Sequence, residues 1–402
     1  MKLLMIFHAA PYPPELGPAR RNYHLLTELL KRHDVTVLSF GTEEQERAFR
    51  LHFGNQCGQV HFVAHRRPAA FRILMRILLT ISGGSALRHS HTRRLQECLD
   101  QLAATERFDL VFLSMPFLAR YRLPSHSPSV TDAHNVEWVV MQRCCRETRS
   151  WWRKAYYFLQ TRHTRHEEVD AASRVNAVLT TSHSDLETFR SSLPFQRHHV
   201  VPNGVDFSAY PAQLPGPEPS TLLFTGLMSY YPNGHGIEWF LNEIFPRIRA
   251  VAPKTRLIIA GARPSRRLRA RASEHVTVTG YVPRISDYMA RAEVVVAPLR
   301  IGGGTRVKIL EAMAMRRPVV ATTLACEGLA VTPDESVLIA DTPKNFADSV
   351  IRLLNDRSLR ERLAIRGYAL VKERYQWNSI GSELDEVLQS IVNGHGRMDR
   401  AS

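Results

Sequence analysis

The chain has 402 residues, too many for one ordinary hydrophobic core; at roughly 150 residues per domain it divides into two or three. Hydrophobic residues make up 44% and charged residues 23%, which excludes wholesale disorder and leaves ample apolar surface to bury. Lys and Arg number 53 against 38 Asp and Glu, a formal net charge of +15, so anionic partners, an anionic surface, or both must be accounted for.

The apolar start Leu3–Phe7 runs straight into His8 and a Pro-rich loop. It lacks the apolar length and small-residue cleavage site of a signal peptide and reads as a first strand. Short β-branched runs then alternate with helical-period segments, the pattern of parallel α/β architecture with both sheet faces covered. Strands are predicted at Leu3–His8, Val35–Phe40, Val60–Val63, Leu110–Met115, Ser129–Asp132, Ala177–Thr181 and His199–Val201. Tyr210–Pro219 carries four prolines, which continue neither a central strand nor a helix and so mark a linker. A second series follows at Thr221–Thr225, Arg256–Ala260, Val276–Thr279, Val294–Ala297, Val319–Ala321 and Val337–Ala340, with helices such as Ile237–Val251 and Val307–Met315 between. Helices at Lys344–Leu354, Leu359–Arg374 and Ser379–Ile391 close the chain.

The reading is an N-terminal Rossmann-like domain over 1–205, a linker over 206–220, a C-terminal Rossmann-like domain over 221–375, and a final crossover helix and tail over 376–402. The most membrane-like stretch, Phe71–Ile81, falls far short of the ~20 residues that span a bilayer and carries Arg72 and Arg76. No transmembrane helix is expected. Cys57, Cys98, Cys144, Cys145 and Cys326 show no C-x-x-C pair and no His at metal spacing, which fits reduced thiols in a cytoplasm.

Open α/β sheets bind ligands outside the carboxyl ends of their strands, so the loops there are where chemistry is sought. The segment Ala297–Ala321 reads Ala-Pro-Leu-Arg-Ile-Gly-Gly-Gly-Thr-Arg-Val-Lys-Ile-Leu-Glu-Ala-Met-Ala-Met-Arg-Arg-Pro-Val-Val-Ala. A strand ends, Gly302, Gly303 and Gly304 let the backbone approach a ligand, and a helix begins with Thr305 as its expected N-cap. Helix N-termini hold phosphate, and a bound anion would explain why Arg306 and Lys308 sit against the positive end of the dipole. Glu311, three residues after Lys308, is placed to accept both hydroxyls of a ribose. The structural alternative is a solvated Lys/Glu pair beside a flexible loop.

This segment resembles the donor-binding signature of GT-B glycosyltransferases, specifically the retaining family 4, or group 1, transferases. Glu311, Ala312–Ala314 and Pro318–Val320 match its ribose-gripping Glu, Ala-Met-Ala and following strand. The resemblance extends over Pro11-Tyr-Pro-Pro14, Gly17, Asp132-Ala-His-Asn135, Thr180-Thr-Ser182, Pro202-Asn-Gly-Val-Asp206 and Phe224-Thr-Gly-Leu-Met-Ser-Tyr-Tyr-Pro-Asn-Gly234, nearly the whole chain. Two departures stand out. Members commonly carry a Glu where this chain has Gly303, and many place an Arg and a Lys in the loop that here reads Gly226 to His235.

The resemblance implies two Rossmann-like domains facing a central cleft, with C-terminal helices packing back across them. It implies transfer of a sugar from a UDP- or GDP-type donor to an acceptor hydroxyl with retention of configuration. His134 is then the residue near the reacting carbon, and Arg306 and Lys308 are the cations at the diphosphate. Donor and nucleotide contacts fall to Gly17, Gly226, Tyr281, Val282, Gly302, Gly303, Gly304, Thr305 and Glu311. Arg20 is a candidate for the acceptor; its alternative is a solvated arginine on a rigid Pro-rich turn, and that of Tyr281 is a core aromatic. No cofactor and no metal are expected, since no acidic D-x-D cation site occurs in the expected place.

Residues 65–95 hold Arg66, Arg67, Arg72, Arg76, Arg88, Arg93 and Arg94 and no acidic residue, and Arg146–Arg165 mixes Trp151, Trp152, Tyr156, Tyr157 and Phe158 with Arg153 and Lys154. Such basic and apolar mixing suits a segment lying on an anionic membrane face, or a partly buried helix whose long side chains snorkel to water. The acceptor is accordingly expected to be a saccharide or a lipid-linked intermediate of cell-surface polysaccharide or glycolipid synthesis. The enzyme is expected in the cytoplasm, at the inner face of its membrane. A nucleotide-sugar 2-epimerase of the same fold is the alternative enzyme, although Gly303 removes a carboxylate it would need. A non-catalytic basic membrane- or nucleic-acid-binding protein is the alternative outside enzymes; no nucleic-acid motif is present, and no nucleic-acid partner is expected.

Overall fold

Every predicted strand is found, within two residues at its ends, in one of two parallel sheets in a computed structural model that describes residues 1–14, 17–64, 92–211 and 216–398. The basic stretch over 65–91 lies outside the described residues. The chain divides into two compact units, one of Met1–Asn203 with the segment from Trp377 onward, the other of Gly204–Gln376.

In the first unit, β1 (Lys2–Phe7), β2 (Asp34–Phe40), β3 (Val60–Val63), β4 (Leu110–Leu113), β5 (Ser129–Ala133), β6 (Ala177–Thr180) and β7 (Arg197–Val200) lie in the order β3-β2-β1-β4-β5-β6-β7. All pairs are parallel. The chain winds outward from β1 to β3 and then returns to β4, so the order reverses between β1 and β4. The period-2 alternation of β1 serves both faces at once: Leu3, Met5 and Phe7 join one core with Leu25, Leu29 and Leu384, while Leu4 and Ile6 join another with Leu95, Leu99 and Phe189. The last helix, Trp377–Met398, belongs to this unit. It crosses helix Gly17–Leu30 so closely that a Cβ at Gly381 would meet Glu28 Cβ at 2.5 Å, and His24 stacks on Trp377 with ring centroids 4.7 Å apart.

In the second unit, β8 (Thr221–Thr225), β9 (Arg256–Ala260), β10 (Val276–Gly280), β11 (Val294–Ala297), β12 (Val319–Ala321) and β13 (Leu338–Ile339) take the order β10-β9-β8-β11-β12-β13. Here the order reverses between β8 and β11. The helices Pro343–Asn355 and Arg357–Arg374 pack within this unit, on a core that includes Phe240, Phe346 and Leu363.

Two local expectations are corrected. The helix predicted over Ile237–Val251 is three pieces: α-helix Tyr231–Trp239, a π-turn at Phe240–Ile244, and α-helix Phe245–Val251. Pro246, near the start of the last piece, has no N–H to continue the ladder from the preceding turn. Thr305 is not an N-cap. Helix Val307–Ala314 is preceded by Arg306 in the cap position, with no side-chain cap bond, because the buried Thr305 still belongs to the glycine loop.

Candidate active site

The reversal between β8 and β11 is the place where an open parallel sheet leaves a crevice at its carboxyl edge. Gly226 follows β8 there with φ 150°, and the loop of Gly302 and Gly304 follows β11. Lys308, in the first turn of helix Val307–Ala314, brings its Nζ to donate to Asn233 Oδ1 at 2.8 Å. Asn233 Nδ2 donates to Leu227 O at 3.0 Å, which fixes the amide so that its oxygen faces the lysine. The ammonium lies 4.2 Å above the Phe224 ring. A Cβ at Gly226 would sit 2.7 Å from Asn233 Nδ2 and 3.1 Å from Lys308 Nζ, so only glycine lets these two side chains close over the strand end. Burial and the nearby Arg306 charge lower the Lys308 pKa to about 7, against a smaller opposing pull from Glu311.

Arg306 is turned inward. Its Nη1 donates to the carbonyls of Gly303 and Gly304, its Nη2 donates to Leu324 O at 3.2 Å, and Glu327 lies 3.9 Å away. The guanidinium expected at a diphosphate therefore braces the glycine loop from beneath, and Lys308 is the cation at the strand end. Glu311 follows one helical turn after Lys308, half-buried. Tyr281, just past Gly280 at the end of β10, is 68% exposed, which removes its reading as a core aromatic; Val282 beside it is half-buried.

The first unit has its own polar cluster at its own reversal. His8, Ser114 and His134 are each the first residue past the carboxyl end of β1, β4 and β5, three neighbouring strands. The backbone N–H of His8 donates to Ser114 Oγ at 3.0 Å, and His8 Nδ1 lies 3.1 Å from the same oxygen. Burial first and the neighbouring His134 second hold the His8 pKa at about 3, so its ring is neutral. The His8 and His134 rings meet edge to face, centroids 6.1 Å apart. His134 Nε2 is 3.1 Å from Asp132 Oδ2. Asp132 is fully buried and receives two bonds from Arg21, Nε to Oδ2 and Nη2 to Oδ1, both 2.8 Å. The Arg21 and His134 charges outweigh burial and keep this carboxyl well below the usual carboxylate range. Arg21 also donates to Val201 O at 2.8 Å, Pro202 O at 2.9 Å and Asn203 Oδ1 at 3.1 Å, tying the strand end to the segment that leaves β7.

A sequence profile described as Glycosyltransferase Family 4 matches residues 17–209, and one described as Glycosyl transferases group 1 matches 219–356. The chain belongs to the family 4, group 1 glycosyltransferases. This glycosyltransferase is 21% identical to an uncharacterized 44.6 kDa protein in the cps region of Klebsiella pneumoniae, over 95% of this chain and 98% of that one. It is 27% identical to a phosphatidyl-myo-inositol mannosyltransferase of Mycobacterium leprae over 50% of this chain and 56% of that protein. Its two parallel-sheet, Rossmann-like units are those of GT-B enzymes. The crystal structure of Anabaena HepE with UDP and glucose superimposes with a TM-score of 0.68 at 15% identity, covering 97% of this chain and 100% of that one.

Within the glycosyltransferase, the predicted residues Gly226, Gly302, Gly303, Gly304, Thr305, Arg306, Lys308 and Glu311 gather at the β8/β11 reversal, and His134 lies at the end of β5. Gly17 is the exposed first residue of its helix, and Arg20 is half-buried; it is the adjacent Arg21 that reaches the core of the site. Sequence reasoning missed Arg21, Asp132 and Asn233 as positioning residues. A signal existed for Asn233 in Tyr231-Pro-Asn-Gly234, where the family's usual cations are replaced. Nothing distinguished Arg21 from Arg20 except its place on the inward face of helix Gly17–Leu30.

Proposed function

We propose that this glycosyltransferase moves a hexosyl group from a UDP- or GDP-type nucleotide sugar to an acceptor hydroxyl, with retention of configuration and without a metal ion. One observation carries the reading: a desolvated lysine is held by Asn233 beside Gly226 at the β8/β11 reversal, with Glu311 one turn along the same helix. Lys308 meets the diphosphate. Arg306, behind the glycine loop, adds positive potential and holds the amides of that loop in place, so that charge developing on the departing phosphate meets fixed dipoles. Glu311 accepts the ribose hydroxyls, Tyr281 and Val282 flank the nucleobase, and the amides of Gly302–Gly304 take over sugar contacts where other members use a Glu.

In the transfer, the bond from the acceptor oxygen to the anomeric carbon forms on the face from which the phosphate leaves, and the acceptor's proton passes to the leaving phosphate oxygen. His134, oriented by Asp132, hydrogen-bonds the donor sugar beside the reacting carbon. The Klebsiella relative's cps region and the inositol-lipid acceptor in the Mycobacterium relative's name support a saccharide or lipid-linked acceptor of cell-surface polysaccharide or glycolipid synthesis.

A thermal-shift screen with UDP, GDP and ADP sugars tests the reading. One nucleotide class raises the melting temperature, and Lys308→Ala and Glu311→Ala each abolish that rise while the unliganded protein still melts cooperatively. Normal donor binding by both variants would overturn the site assignment. Anomeric analysis of the product tests retention, and activity unchanged in EDTA tests metal independence.

A further inference from the structure

We propose that the N-terminal end of helix Trp151–Ala172 seats this glycosyltransferase on an anionic lipid surface. The helix has 22 residues, and its buried positions are Gln160, Thr164, Glu167, Glu168, Ala171 and Ala172, one stripe at helical spacing confined to the C-terminal part. No residue of the helix before Gln160 is buried. Helix Glu137–Glu147 packs along it, from the Glu137 N–H against Glu168 Oε1 at 3.4 Å to Cys145 Sγ against Lys154 O at 3.4 Å, and still leaves the rings at the start of the longer helix uncovered.

The end left uncovered is rich in rings. Trp151 is 80% exposed, Trp152 56%, Phe158 56% and Leu159 43%. Large apolar side chains gathered in nine consecutive positions form a patch that a soluble surface does not need. The charge around them has one sign: Arg149, Arg153, Lys154, Arg162 and Arg165 are all exposed, and no Asp or Glu occurs between Glu147 and Glu167. The Arg153 guanidinium lies over the Trp152 ring, 5.0 Å from its centroid.

This chemistry selects the occupant. A second copy would bring the same positive charge against itself. Indole rings with a polar N–H, flanked by cations on long apolar stems, suit the boundary where acyl chains meet anionic headgroups. Among the described residues no helix is long and apolar enough to cross a membrane, so this end lies on the surface. The docking helix and its partner lead back toward His134, three residues before the partner begins at Glu137. Docking would therefore bring the unit that carries His134 to a membrane, where a lipid-linked acceptor is presented; that last step rests on the proposed transfer, whereas the docking does not.

Vesicle sedimentation of the full chain tests it. The protein should pellet with phosphatidylcholine vesicles containing 30% phosphatidylglycerol at low salt, remain in solution with pure phosphatidylcholine, and lose at least tenfold in affinity at 500 mM salt. Trp151→Ser/Trp152→Ser and Arg153→Glu/Lys154→Glu should each weaken vesicle binding tenfold or more, while melting temperature and the donor-induced thermal shift stay unchanged. No binding to anionic vesicles overturns the proposal, and so does equal binding by the variants. A wild-type dimer that the tryptophan variant converts to a monomer also overturns it, since the face would then be a self-interface. Loss of the donor shift in the wild type would instead strike the proposed function and leave the vesicle result standing.

Discussion

Lys308 Nζ and Asn233 Oδ1, from helices 75 positions apart in sequence, meet at 2.8 Å over the end of β8. Removing the oxygen leaves a desolvated ammonium with a lost partner, a change of roughly 1.5–3 kcal/mol for a hydrogen bond to a charged group. Asn233→Ala is therefore expected to weaken donor binding at least tenfold. Asn233→Asp should separate position from charge: the carboxylate holds the lysine in place but repels a diphosphate. Its unliganded melting temperature should match or exceed that of the wild type while its donor affinity falls below that of Asn233→Ala. Fluorimetric melting with and without donor reads both quantities.

The lowered Lys308 pKa makes donor binding a proton-linked event. With the free amine titrating at about 7 and the diphosphate favouring its cationic form, binding takes up a proton near neutral pH, and affinity declines as pH rises through 7 to 9. Calorimetry in buffers of different ionisation enthalpy should show that uptake. Lys308→Arg, which keeps its proton, should abolish it. In the folding direction the sign reverses: the unfolded chain holds this proton up to about 10.5, so the site destabilises the fold below that pH. Lys308→Met should raise the melting temperature at pH 7 by ~2–4 °C, the range for roughly 1 kcal/mol in a domain of this size.

What the sequence revealed and what it hid follow from the range of the interactions. The β-branched runs and the glycine loop are local patterns, and both sheets and the β8/β11 site follow from them. The inward turn of Arg306 is only partly local: besides the carbonyls of Gly303 and Gly304 it draws on Leu324 and Glu327, contributed by a later turn of chain. Arg21 and Asp132 are 111 positions apart, and only the parallel stacking of β1, β4 and β5 brings the helix after β1 against the end of β5.

Asp132 and His134 occupy one strand end but should fail differently. Asp132→Asn leaves Arg21 buried against a neutral partner, a loss of about 3–5 kcal/mol, so the variant should melt several degrees lower and lose transfer as well. His134→Gln should keep the melting temperature and nucleotide binding while transfer falls ~10²- to 10³-fold, the usual cost of losing one hydrogen bond that strengthens in the transition state. The depressed Asp132 carboxyl contributes stability that is fully present above its unfolded value of 3.8 and is lost as pH falls below it. Acid unfolding of the wild type should therefore steepen below pH 4, a feature that Asp132→Asn lacks.

Glu168 carries the opposite pH signature. Burial, and then the neighbouring Glu137, push its carboxyl well above 4.5, and burial raises Glu137 as well. A carboxyl raised in the fold contributes stability that is complete below its unfolded value and is lost as pH rises through the folded value. The pair persists because Glu168 accepts the first amide of helix Glu137–Glu147, just beyond His134 in the chain. Glu168→Gln keeps that acceptor and removes the ionisation, so its melting temperature should match the wild type at pH 5 and exceed it increasingly toward pH 9. Glu168→Leu removes the acceptor as well as the ionisation and should melt below Glu168→Gln by a similar amount at every pH. A pH series of thermal melts on the three proteins separates the two effects, because ionisation changes the slope of melting temperature against pH and the lost cap shifts the whole curve.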